Sequence, residues 1–288
     1  MQPDERLEYS AIVDRPPPKL PDGARMIVWA IVNVEVWDSM NVMPRTVLTP
    51  PAGGAPIPDI PNWAWHEYGN RVGFWRIKYI LDAHEVRATL ALNGSVCTTY
   101  PRIAEAALES NWEFMGHGYS QKNMQKVDDE RLDIQKTRDA IQNFTGKVPR
   151  GWLGPGLTET FETVDLLKEE GFEYVADWVL DDQPVELKTR AGNLVNVPYT
   201  QEINDVAMML IQHHTASEYA NRALDQFETL YEDSLKQPRV MAIVCHPYIV
   251  GVPHRIKYFR KIFETIRQKP GVLFWTGEQI LDWYQSLK

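Results

Sequence analysis

The run MIVWAIVNVEV, from Met26 to Val36, constrains this chain more than any other segment. It is apolar at odd and even positions alike and rich in β-branched residues. As a strand it must therefore be buried on both faces, as strands are in parallel sheets covered by helices. Parallel strands need crossover connections, and the following sequence offers them. RVGFWRIKYILDAHE carries Val72, Trp75, Ile77, Tyr79 and Ile80 at helical spacing and leads into a strand, VRATLALNG. The alternation continues with IAEAALES as a helix, WEFMGHG as a strand and a charged helix from about Asp128 to Phe144. PRGWLGPG reads as a strand and loop, TVDLLKEEG as a helix, FEYVADWV as a strand, and NLVNVPYTQEIND as a strand entering a polar loop. A helix over about 217–235, the strand RVMAIVCHP, the helix HRIKYFRKIFETIRQ, the short strand VLFWT and a last helix complete the order. So many βα units favour a closed α/β barrel over an open sheet.

Hydrophobic residues make up 44% of the 288, ample for the core of one large domain, placed at 25–288. Residues 1–24 carry Pro16, Pro17, Pro18 and Pro21, which disfavour helix and sheet and predict an extended arm. Such an arm suits subunit contacts, so a homo-oligomer, a dimer or tetramer, is expected. Residues 40–63, rich in Pro and Gly, form too long a connection to be idle and are expected to line a pocket. The net charge of -9, with no block of Lys or Arg, excludes the electrostatic footprint of a nucleic-acid or anionic-membrane binder. The acidic, Pro-rich start lacks the features of a secretory signal, and no apolar stretch approaches ~20 residues; a cytoplasmic protein is expected. Cys97 and Cys245 lie far apart in apolar segments and read as buried thiols.

Parallel barrels place their working residues at the C-terminal ends of strands. Those positions deliver Glu35 and Asp38, His117, Arg150 and Trp152, Asp177 with Asp181 and Asp182, Asn204 and Asp205, and His246. Unpaired carboxylates and imidazoles are costly to bury, so their recurrence at strand ends points to a site. Arg71, with Glu67 and the aromatics Trp63, Trp65, Tyr68 and Trp75, is placed to wall a pocket. Asp182 reads as a solvated loop residue, and the pair His213 and His214 as structural, because neighbours on an extended chain point oppositely.

Six ordered segments, YGNRVGFWRI, EFMGHGYS, PRGWLGPG, ADWVLDDQP, VPYTQEIND and CHPYIVGVPHR, resemble the NodB-type polysaccharide deacetylases, in the branch that holds the metal-independent allantoinases of purine use. The resemblance covers about residues 20–288 and implies a distorted (β/α)7 barrel that hydrolyses an amide or ureide C–N bond by attack of water on a carbonyl. Metal-dependent members carry motifs of the form TFDDG and HSxxH. Here the first reads NVEVWDS, with Val36 in place of an acid, and the second keeps His117 but puts Gln121 where another imidazole stands. Glu35 and His117 are two donors where zinc wants three or four; Asn33 or Asp38 could serve in the first motif only with a shifted register, and a third ligand would have to come from Asp38 or another loop. The reading without a metal is favoured over a zinc site of Glu35, His117 and Asp38.

Glu35 and His117 are then the expected base and its partner. His246 is expected to protonate the departing nitrogen, from the opposite side of the barrel. Arg150, the Trp152 indole N–H or backbone N–H groups of Gly154 to Gly156 would stabilise the oxyanion. Asp38, Arg71, Trp152, Asp177, Asp181, Asn204 and Asp205 are the expected substrate-binding set. The leading expectation is a hydrolase of a small amide, ureide or N-acyl compound. Its competitors are a zinc-dependent deacetylase of N-acetyl sugars or peptidoglycan, and an inactive barrel kept as a binding module.

Overall fold

In a computed structural model, which describes residues 1–41, 54 and 57–288, the apolar run becomes the strand β1 (Met26–Val34), every residue of it buried. Around it stand β2 (Thr89–Leu92), β3 (Glu113–Gly116), β4 (Gly151–Trp152), β5 (Tyr174–Val175), β6 (Val185–Thr189), β7 (Gly192–Asn196), β8 (Arg239–Cys245) and β9 (Val272–Phe274). The order is β6-β7-β5-β4-β3-β2-β1-β8, with β9 also on β1. All pairings are parallel except β6 with β7, a hairpin that sequence periodicity alone does not bring out. Among the described residues the curled sheet closes through a parallel bridge, Asn204 with Val244, where the Val244 N–H donates to the Ile203 carbonyl at 3.1 Å. Seven parallel strands, β1 to β5, β7 and β8, thus ring the interior as a distorted barrel.

Because strand side chains alternate, β1 feeds two cores. Met26, Val28, Ala30, Val32 and Val34 face the surrounding helices. Ile27, Trp29 and Ile31 point into the barrel, where they meet Ala91, Met115, Tyr174, Ala176, Val197, Ala242 and Val244. The N-terminal end of the barrel is plugged by a polar chain: Trp29 Nε1 donates to Thr89 Oγ1 at 2.6 Å, and Thr89 and Tyr174 both donate to Glu113 at 2.6 Å. Burial pushes the Glu113 carboxyl up to about 7 despite these donors. With that end closed, access to the interior is left to the C-terminal end.

The arm is not simply extended. Pro3–Arg6 forms one helical turn, and the Arg6 side chain is buried, bonding Asp165 at 2.7 and 3.2 Å and the carbonyls of Phe161 and Lys188. Arg15 pairs with Asp181 at 2.6 Å, and Trp283 donates to the Lys19 carbonyl at 2.8 Å. The expected pocket-lining loop at 40–63 falls largely outside the described residues. No helix among the described residues is long and apolar enough to cross a membrane.

Candidate active site

The inward parity of β1 continues past Ile31, so Asn33 and Glu35 face the barrel mouth. On β2 the same parity carries Thr89 and Ala91 on to Asn93, on β3 Glu113 and Met115 on to His117, and on β8 Ala242 and Val244 on to His246. Of these, Asn33, Glu35, His117 and His246 line one cavity of about 900 Å³, together with Trp37, Asp38, Gln121, Tyr199, Asn204 and the loop 153–158.

Glu35 is the hub. Its Oε1 lies 3.6 Å from His117 Nε2 and 3.5 Å from His246 Nε2, and accepts from Gln121 Nε2 at 3.0 Å. Its Oε2 accepts from Trp37 Nε1 at 2.8 Å. Burial raises the Glu35 carboxyl, but the His117 and His246 imidazoles beside it outweigh this and hold the group well below the usual carboxylate range. His246 Nδ1 is 2.6 Å from Asp205 Oδ1, and its backbone N–H donates to Asp205 Oδ2 at 2.7 Å. Burial lowers the His246 imidazole, yet Asp205 and then Glu35 lift it to about 9, so it is cationic at neutral pH. His117 Nδ1 is fixed on the Leu153 carbonyl at 2.6 Å, which turns Nε2 toward Glu35.

One backbone N–H sets the orientation of two amides. Val36 N–H donates to Asn93 Oδ1 at 2.8 Å, which commits the Asn93 NH2 to the His117 carbonyl and to Gln121 Oε1 at 3.0 Å. The Gln121 NH2 is thereby aimed at Glu35 and at His117 Nε2, 3.4 Å away. This N–H donor stands between the two groups that would be a metal's first ligands, and it has no lone pair to offer a cation. Asp38 is turned to the Met40 N–H and the Asn41 amide. No three His, Cys, Asp or Glu side chains among the described residues are arranged to hold a metal, and the donor set does not fit zinc.

Close backbone packing seats the last loop. A Cβ on Gly73 would fall 2.1 Å from the Pro247 carbonyl oxygen, so glycine there lets the turn at Gly69–Gly73 press directly on the chain after His246. Tyr248, His66 and Trp37 then form an aromatic wall, with ring centroids 4.0 and 4.7 Å apart along the series.

Several expected positions lie elsewhere. Arg150 does not reach the cavity. It precedes β4 rather than following it, and at the N-terminal end of the barrel it pairs with Glu173 and Asp282, both at 2.7 Å. Trp152 has the outward parity and packs against Phe172, with its indole N–H buried away from the cavity. The Gly154 N–H is spent on Asp177 Oδ1 at 2.7 Å, behind the loop. Asp177 therefore supports the loop rather than lining the cavity. Burial, and then the carboxylate of Glu159, pushes Asp177 well above its ordinary range. Asp181 holds the arm through Arg15, and Arg71 lies exposed off the cavity. His246 and Glu35 come from adjacent strands, not opposite sides of the barrel. Asp38 and Asn204 line the cavity, and Asp205 sits behind His246. Trp37, Asn93 and Tyr199 were not anticipated; extending strand parity past Ala91 would have found Asn93.

The polysaccharide deacetylase family model matches residues 66–175. A Schizosaccharomyces pombe protein assigned to the polysaccharide deacetylases is 31% identical over 291 residues, covering 90% of each chain. A peptidoglycan deacetylase of Helicobacter pylori is 22% identical over 249 residues, covering 75% of this chain and 84% of its own. Among solved structures, PuuE allantoinase superposes with a TM-score of 0.85 at 22% identity, over 97% of this chain and 98% of its own, a likeness of fold. Barrel, motifs and relatives agree: the chain belongs to the polysaccharide deacetylase family.

Proposed function

We propose that this barrel hydrolyses the C–N bond of a small amide, ureide or N-acyl compound without a bound metal. The observation that carries the proposal is the placement of His117 and His246 about one carboxylate oxygen of Glu35 inside a single cavity. Water held by Glu35 and His117 attacks the carbonyl carbon, forming a C–O bond as its proton passes to Glu35. The C–N bond then breaks with its electron pair on nitrogen, and the imidazolium of His246 supplies the proton that nitrogen needs to leave. Glu35 is a weak base while His246 is charged. Transfer of that charge to the leaving group makes the carboxylate a better proton holder, so the two transfers support one another.

The cavity volume suits a small substrate. The fold likeness to an allantoinase brings ureides into the proposal, and the H. pylori relative brings N-acetyl amino sugars. A cytosolic setting goes with a small diffusible substrate and is checked by cell fractionation. The test is a screen of allantoin, hydantoin, dihydrouracil, N-formyl amino acids and N-acetylglucosamine for release of carboxylate or amine by the purified chain. Turnover of one chemical class that is lost in His246→Ala supports the proposal. A mutant as active as the wild type overturns it.

A further inference from the structure

Resting on that reading, we infer that the Asn33 side chain is the donor that receives the substrate carbonyl oxygen. Asn33 is 2% exposed and lines the cavity, yet its Nδ2 has no hydrogen-bond partner among the described residues. An amide N–H buried without a partner costs stability and persists where something else rewards it. The phenol of Tyr199 is its polar neighbour, outside good hydrogen-bond geometry.

The register of the sheet places this donor. Asn33 has the inward parity of Ile27, Trp29 and Ile31, and lies two residues before Glu35, roughly 6–7 Å deeper in the barrel. Its neighbour on β2 is Ala91, whose small side chain leaves the amide room. On β8 the pairing of Val32 with Cys245 brings Asn33 level with His246. A carbonyl compound whose nitrogen faces His246 and whose carbon faces the water on Glu35 would therefore direct its oxygen toward Asn33. As water adds, that oxygen gains negative charge, and a fixed N–H in a water-poor site stabilises the charge most when it is fully developed. This assigns to Asn33 the role expected from the sequence of Arg150, the Trp152 indole N–H or the backbone of Gly154 to Gly156.

The test pairs kinetics with stability in Asn33→Ala and Asn33→Leu, using whichever compound of the screen the wild type turns over best. The inference predicts that kcat falls by about 10²–10³-fold, as when an oxyanion donor is removed, while the thermal midpoint stays level or rises because an unsatisfied buried amide is gone. Full kcat in both variants, with Glu35→Gln inactive, overturns the Asn33 assignment and leaves the proposed function standing. Losses of activity that track losses of thermal midpoint overturn it as well. Wild-type protein that neither turns over nor binds any compound of the screen overturns both readings together.

Discussion

Asp205 grips His246 twice, with one carboxylate oxygen on the ring Nδ1 at 2.6 Å and the other on the backbone N–H at 2.7 Å. The side chain is thus fixed relative to its own strand, and its Nε2–H is directed at Glu35.

This grip predicts the alkaline side of the rate profile. With His246 lifted to about 9, the proton it donates is present across neutral pH, and kcat/KM falls only as pH rises through about 9. In Asp205→Asn the counter-charge is gone, and the fall moves toward the ordinary imidazole range of about 6.5. A pH–rate profile of both proteins checks this, and an unmoved limb would remove His246 as the acid.

Folding stability follows the same proton. A pKa raised in the folded state stabilises fully below the unfolded value of about 6.5 and ceases to do so as pH climbs through about 9. The stability gap between wild type and His246→Asn should therefore narrow from pH 6 to pH 10 in thermal melts. Glu35 behaves oppositely. Its lowered pKa adds stability above the unfolded value of about 4.3, which is lost as pH falls below that range.

Gln121 is the residue to exchange if the metal-free reading is to be reversed. Its NH2 occupies the space between Glu35 and His117. Gln121→His replaces that donor with an imidazole lone pair and gives a three-donor set. We expect the variant to take up zinc near one equivalent in metal analysis after dialysis, and the wild type to take up far less.

Arg6 ties the arm to the domain through a buried pair with Asp165, both side chains 1% exposed. Removing one partner leaves a buried charge uncompensated, so Arg6→Ala should lower unfolding stability by about 3–5 kcal/mol in urea titrations. A change below about 1 kcal/mol would mean that the arm docks only loosely in solution.

Much of the barrel can be read from the sequence because its strands are buried on both faces. Residues 26–32 and 240–245 are continuous apolar runs, and Glu35 and His246 stand just beyond them. The reading fails where strands are very short. β4 is only Gly151–Trp152, so periodicity could not tell its start from its end, and Arg150 was assigned to the wrong mouth. Networks between strands are equally silent. The aim of the Gln121 amide is set by Asn93, which takes its own orientation from the Val36 N–H, and no local spacing records that relay. The role of Asp205 behind His246 depends on the bridge between Asn204 and Val244, while in sequence Asn-Asp looks like an ordinary turn.

The most direct test compares hydrolysis by chelator-stripped wild type and Glu35→Gln, with and without added zinc, on the best compound of the screen. The account predicts full wild-type turnover that zinc does not raise, and a loss of about 10²–10⁴-fold in Glu35→Gln under both conditions. Wild-type activity that vanishes on stripping and returns with zinc would contradict it.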